Sequence, residues 1–243
     1  IADPSFGMNL ESDHPPLIAL SYRLAGFVFG FNFLRLLPLF LSILNLFLVF
    51  KITDKLYSRR AAFLACAILA ISVYSIIAST QIDIDGALLP FAFLLSIWTY
   101  IHVDKDRSFA IGERRWPILL FLAFIFGFSV KLSFVLAAGT IVTDYLIYHR
   151  FRLKEIAKSA CFVLASVLLA GGLIFFLDKI FGVENSGRFL SNAEKFGFLN
   201  FGSRNYFQVL FLSVKSIVLA SPILVWPVIF AASKFEYIKK FRM

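Results

Sequence analysis

The run Asp13-His14-Pro15-Pro16-Leu17, with Glu11 just ahead of it, sets three ionisable groups beside a rigid Pro-Pro step in an otherwise apolar chain. A carboxylate next to an imidazole can take up a proton, contact a polar ligand or steady a phosphate, and the fixed φ of proline limits where the pair can sit. Two further groups of the same kind lie downstream: Asp83-Ile84-Asp85-Gly86 carries two carboxylates, and Gly127-Phe128-Ser129-Val130-Lys131 ends in an amine.

Only the intervening segments can bring these pieces together. The chain has 243 residues, 60% hydrophobic and 17% aromatic with 31 Phe, a composition that excludes an ordinary soluble domain. Apolar runs at about 36–50, 61–79, 86–103, 116–130, 132–148, 156–177 and 206–233 read as membrane spans, measured against the roughly 20 residues a bilayer requires. Continuous apolar runs satisfy their backbone hydrogen bonds as helices, whereas barrel strands would alternate with polar residues. The expected fold is therefore all-α: one polytopic transmembrane bundle over 1–243. Residues 17–33, which mix apolar side chains with Tyr22, Arg23 and Asn32, suit a helix lying at the interface within an outside segment 1–34.

Basic residues set the orientation. Lys51, Lys55, Arg59 and Arg60 fill one connection, Lys105, Arg107, Arg114 and Arg115 another, and Arg150, Arg152, Lys154 and Lys158 a third; the tail adds Lys234, Lys239, Lys240 and Arg242. By the positive-inside rule these face the cytoplasm. Glu11, Asp13, His14, Asp83, Asp85 and Lys131 then share the opposite face, with the outside loop 178–205. The net charge of +9 follows from the cytoplasmic connections and implies anionic lipid headgroups, not nucleic acid, for which there is no motif.

The chain opens Ile1-Ala2-Asp3 in an outside segment, without an initiator Met or a signal peptide, so a first helix is expected upstream. Phosphate-cradling glycine loops, nucleophile elbows and dinucleotide fingerprints are all missing from the sequence, and Cys66 and Cys161 fall inside spans without a Cys-x-x-Cys pattern.

Duller roles stand beside the chemical ones. Ser12 or Asp13 can cap the interfacial helix, Asp83 and Asp85 can be turn residues before Gly86, and Lys131 can snorkel to headgroups from a hairpin turn. Asn45 suits a hydrogen bond between helices, and Gly171-Gly172 suits close helix packing.

An acidic-His-Pro-Pro-Leu run, an interfacial helix, two spans, a short acidic outside loop, another span and a Gly-x-x-x-Lys turn together resemble the polyprenyl-phosphate-sugar-dependent glycosyltransferases of the GT-C superfamily. The similarity is to the protein O-mannosyltransferases and the lipid A aminoarabinose transferases, and it covers about residues 10–150. It implies an inverting transfer of a sugar from a polyprenyl-phosphate donor to a lipid, glycan or protein acceptor, outside the inner membrane of a bacterial or archaeal cell. It further implies that Asp13 and Asp85 are the catalytic carboxylates of this chain and that His14 and Lys131 bind the donor phosphate. Asp13 with His14 could also hold a divalent metal ion, although two adjacent ligands alone make no site. The family's usual general base lies after the first helix, at a place Asp3 is too near His14 to fill, so this chain is expected to lack it.

Glu11, and Arg188 and Arg204 of the long outside loop, are candidates for substrate contact by charge and position. The competing classes are a transporter or flippase, which would carry charges near the midplane and an internal repeat, and a non-catalytic membrane scaffold.

Overall fold

In a computed structural model of the protein, residues 16–80, 87–103, 109 and 115–181 are described. They form eight α-helices: α1 (Pro16–Phe29), α2 (Leu36–Leu56), α3 (Arg59–Ile71), α4 (Val73–Thr80), α5 (Leu88–Tyr100), α6 (Arg115–Val130), α7 (Val135–Tyr148) and α8 (Leu153–Phe181). The all-helical architecture expected from the continuous apolar runs is the one observed.

Prolines mark where the helices begin. Pro16 is the first residue of α1, and Pro38, Pro90 and Pro117 are each the third residue of α2, α5 and α6. In a first turn the missing N–H has no partner to lose, so proline starts a helix there without breaking it. α3 starts on a polar cap instead, with Ser58 Oγ accepting from Ala61 N at 3.2 Å.

The segment expected as one span over 61–79 is two helices. Ser72 between them is extended (φ −68°, ψ 130°), and its hydroxyl accepts from Ser75 N at 3.2 Å, which ends α3 and caps α4. A side chain that bonds the backbone this way competes with helix continuation, which is why the break falls at a serine. α8 in turn runs past the expected end at 177 to Phe181.

α2 packs against α3 and α5, and α6 packs against α5 and α8. Their core is aromatic. Phe124, fully buried, meets Phe134, Phe162 and Phe128 edge-on at centroid separations of 5.7, 5.4 and 6.4 Å. Each such pair adds about 0.5–1.5 kcal/mol beyond the area it buries.

The outward faces of α2 and α8 carry large apolar residues, among them Phe40, Ile43, Leu164, Leu168 and Phe176. Leu36–Leu56 and Leu153–Leu177 are long and apolar enough to cross a membrane, and α5, α6 and α7 are shorter apolar helices. Gly171 and Gly172 differ from expectation. Both are exposed, and a Cβ at either would meet nothing within 4 Å among the described residues.

α1 lies across one end of this bundle. Its Tyr22 and Ala25 are buried with Leu34 and Leu41 at the start of α2, Ala87 and Leu88 at the start of α5, and Val130 at the end of α6.

Candidate functional site

Lys131 follows directly on α6, and its placement is built from the residues before and after it. Lys131 N donates to Gly127 O at 3.1 Å, which carries the helical pattern one residue further, and Phe134 N donates back to Lys131 O at 3.0 Å. That tight return folds Leu132–Phe134 into a single 3-10 turn leading into α7. Gly127 makes the return possible, because the ring of Phe134 lies flat on the space a Cβ at that position would occupy. Phe128 meets the same ring edge-on at 5.1 Å, and Ser129, fully buried, donates to Ile125 O at 2.8 Å. Each residue of Gly127-Phe128-Ser129-Val130-Lys131 therefore has a structural task in the turn that presents the amine.

The amine-bearing turn borders a groove of about 510 Å³ between α5 and α7. Leu89, Pro90 and Phe93 form one wall; Ser133, Leu136, Ala137 and Thr140 form the other. These last four recur at helical spacing and so share one face of the chain. Among the described residues, half-buried Lys131 is the one ionisable side chain on this lining. An apolar trough with a cation on it is suited to an amphiphile whose tail is hydrocarbon and whose head is anionic.

Sequence reasoning singled out Lys131 but missed Ser133 and Thr140, which it counted only as span residues. Their seven-residue separation, two helical turns, is the signal that would have placed them on one face.

The ends of three elements converge near this turn. Leu17 and Tyr22 of α1, Ala87 before α5 and Val130 before Lys131 belong to one apolar cluster. Asn45 of α2 reinforces the junction, its Nδ2 donating to Ala87 O at 3.0 Å from a site that is 7% exposed. Glu11, Asp13, His14, Asp83, Asp85, Arg188 and Arg204 lie outside the described residues. So does the candidate metal pair Asp13 and His14; among the described residues no cluster of three or more His, Cys, Asp or Glu could hold a metal ion.

The opposite end, which carries the basic connections, is polar in a different way. Tyr100 of α5 donates to Asp144 of α7 at 2.9 Å, and Tyr145 of α7 donates to Glu155 of α8, which Lys158 also meets at 2.8 Å. His102 stacks on Trp116 at 4.6 Å with Trp98 edge-on to the same indole. The α7–α8 corner places Arg150 and Phe151 at φ 52° and 51°. The tyrosines, carboxylates and stacked rings are paired with one another and line neither of the two cavities that border α5, so they read as fastening of the helix ends.

Neither a curated protein nor a solved structure matches the chain. A family profile does, over residues 13–176, a stretch that starts at the acidic residue before the Pro-Pro step and takes in Asp85, the Lys131 turn and most of α8. The match covers more than half of the chain, and its members are multi-span membrane glycosyltransferases of GT-C type that use lipid-phosphate sugar donors. The chain belongs to the dolichyl-phosphate-mannose-protein mannosyltransferase family.

Proposed function

We propose that this protein transfers a sugar from a polyprenyl-phosphate donor to an acceptor hydroxyl or amine on the non-cytoplasmic side of the membrane. The observation that carries the reading is the groove between α5 and α7, with apolar walls for an isoprenoid tail and Lys131 beside them for its phosphate.

In this reading the donor's tail stays among Leu89, Phe93 and Leu136 while its head reaches the aqueous edge. A carboxylate, Asp13 or Asp85, accepts the proton of the acceptor group as that group's oxygen or nitrogen attacks the anomeric carbon. The new bond forms as the bond from that carbon to the phosphate oxygen breaks, and its electron pair leaves with the polyprenyl phosphate. A positioned base is worth about 10²–10⁴-fold in such a step. Positive charge from Lys131 and His14 meets the phosphate as its charge grows, where preorganised electrostatics contribute most. Glu11, Arg188 and Arg204 are assigned to the acceptor and sugar.

The test uses the full open reading frame reconstituted in vesicles with radiolabelled polyprenyl-phosphate sugars, following loss of sugar from the lipid. Donor consumption that His14→Ala and Asp85→Asn both abolish, in protein that stays folded, supports the assignment. A well-folded protein that consumes no donor overturns it.

A further inference from the structure

Opposite the Lys131 turn, α7 ends in a corner of unusual backbone. Phe151 N donates to Leu146 O at 2.9 Å and Arg150 N to Ile147 O at 3.2 Å, a paired closure that usually places glycine first beyond the helix cap. Here that position is Arg150, at φ 52°, and Phe151 follows at φ 51°. Two successive L-residues are thus held in the left-handed region, where glycine would sit free of strain. The backbone bonds close the turn without help from either side chain. The helix dipole rewards a cation at the end of α7 but offers nothing to a phenylalanine. Strain of this kind clusters where side chains contact ligands. Neither of these side chains is used inwards: Arg150 is exposed, and Phe151 is 57% exposed.

The residues around the pair indicate what it meets. Across 149–158, Arg150, Arg152, Lys154 and Lys158 accompany one carboxylate, Glu155, which Tyr145 and Lys158 already engage. Arg150, Arg152 and Lys154 are exposed and form no ion pair among the described residues. Between them stand Phe151 and Leu153, the latter 84% exposed. The corner leads into Leu153–Leu177, which is long and apolar enough to cross a membrane, so it lies where hydrocarbon gives way to headgroups. Cations alternating with bare apolar side chains at that depth suit a surface with phosphate above and acyl chain beneath. An arginine anywhere in the connection would orient the chain. Only a defined contact asks for one at a position that suits glycine.

We propose that the α7–α8 corner binds an anionic phospholipid, its phosphate among Arg150, Arg152 and Lys154 and its acyl chains against Phe151 and Leu153. The inference stands apart from the transferase reading, since it concerns the other end of α7 and is measured without turnover.

The full chain is reconstituted in phosphatidylcholine nanodiscs with a rising mole fraction of photoactivatable phosphatidylglycerol or photoactivatable phosphatidylcholine, and labelled peptides are mapped by mass spectrometry. The phosphatidylglycerol probe is expected to label the peptide spanning 147–156 saturably, and to be displaced by unlabelled phosphatidylglycerol but not by phosphatidylcholine. Arg150→Gly and Arg150→Asn, both at ease in the left-handed region, should each lower that labelling about fivefold, the share of one cation near a lipid surface. Phe151→Gly should lower it without any change of charge. Lys51→Gln with Lys55→Gln, which neutralises another basic connection, should leave it unchanged. Thermal unfolding separates loss of the site from loss of the fold in each variant. Equal labelling by the two probes overturns the proposal and leaves the corner to a soluble acidic partner. Undiminished labelling in folded Arg150→Gly and Arg150→Asn protein, or in folded Phe151→Gly protein, overturns it as well. So does an equal loss from the Lys51 and Lys55 substitutions, which would reduce the effect to net charge.

Discussion

Gly127 and Phe134 fit together as socket and plug: the benzyl ring, 1% exposed, fills the space that any side chain at 127 would claim. The Gly-x-x-x-Lys spacing thus encodes a helix end that an aromatic ring can close over, and the lysine rides on that closure.

Gly127→Ala should destabilise the protein by about 1–3 kcal/mol, the usual cost of overpacking a core. The added methyl meets a ring already held by Phe124 and Phe128, which leaves it little room to retreat. Thermal unfolding in detergent measures this. Gly127→Ala combined with Phe134→Leu should recover part of the loss, since the shorter side chain vacates the contested space; a double variant no better than the sum of the singles would refute the pairing.

Lys131→Met keeps the stem that packs along the groove and removes the charge. Donor consumption should fall about 10²–10³-fold, as when one preorganised electrostatic contact is lost, while the unfolding temperature stays near that of wild type. Lys131→Arg should retain most of the activity. Unchanged turnover in the methionine variant would take the amine out of the phosphate site.

Tyr145→Phe removes the donor to Glu155 and should cost about 1–3 kcal/mol, with Lys158 still pairing the carboxylate and keeping the loss toward the lower end. Activity per folded molecule should not change, because this contact fastens helix ends and lines neither cavity. A loss of turnover without a loss of stability would show that the basic end takes part in the reaction.

Arg150→Gly should stabilise the fold by about 0.5–1 kcal/mol. The left-handed conformation at φ 52° costs an L-residue about 1–2 kcal/mol, and glycine escapes it at the expense of a more flexible unfolded chain. Chemical denaturation of the two proteins in matched detergent gives the difference; a less stable variant would mean that the arginine side chain outweighs the backbone strain.

Much of the helical architecture is legible from the continuous apolar runs, which satisfy their own backbone hydrogen bonds as helices. Pro38, Pro90 and Pro117 went unread there, although each stands in the first turn of its helix. The break at Ser72 was not legible, since Ser72, Ser75 and Ser79 read equally well as small polar residues inside a span; only the Oγ contact to Ser75 N distinguishes a cap from a bystander. Lys131 was visible as a motif position, but its reason was hidden in Phe134, whose contact with Gly127 depends on a turn that periodicity does not describe. The Gly171-Gly172 pair has no close neighbour among the described residues: small residues permit close packing without requiring it. The partnership of Asn45 with Ala87 spans 42 positions and leaves no local pattern at all.

The polar fastenings Tyr100–Asp144 and Tyr145–Glu155 join α5, α7 and α8 at the basic end, while the far ends of α5 and α7 border the groove and the start of α5 meets α1 through apolar residues such as Ala87 and Leu88. Lipid tails are as apolar as leucine, so in a bilayer an apolar seam can trade protein contacts for lipid contacts at little expense, whereas a tyrosine–carboxylate bond finds no substitute there. The bundle is fastened unevenly, at the basic end by tyrosine–carboxylate bonds that lipid cannot replace and at the α1 end by apolar contacts around the Asn45–Ala87 bond.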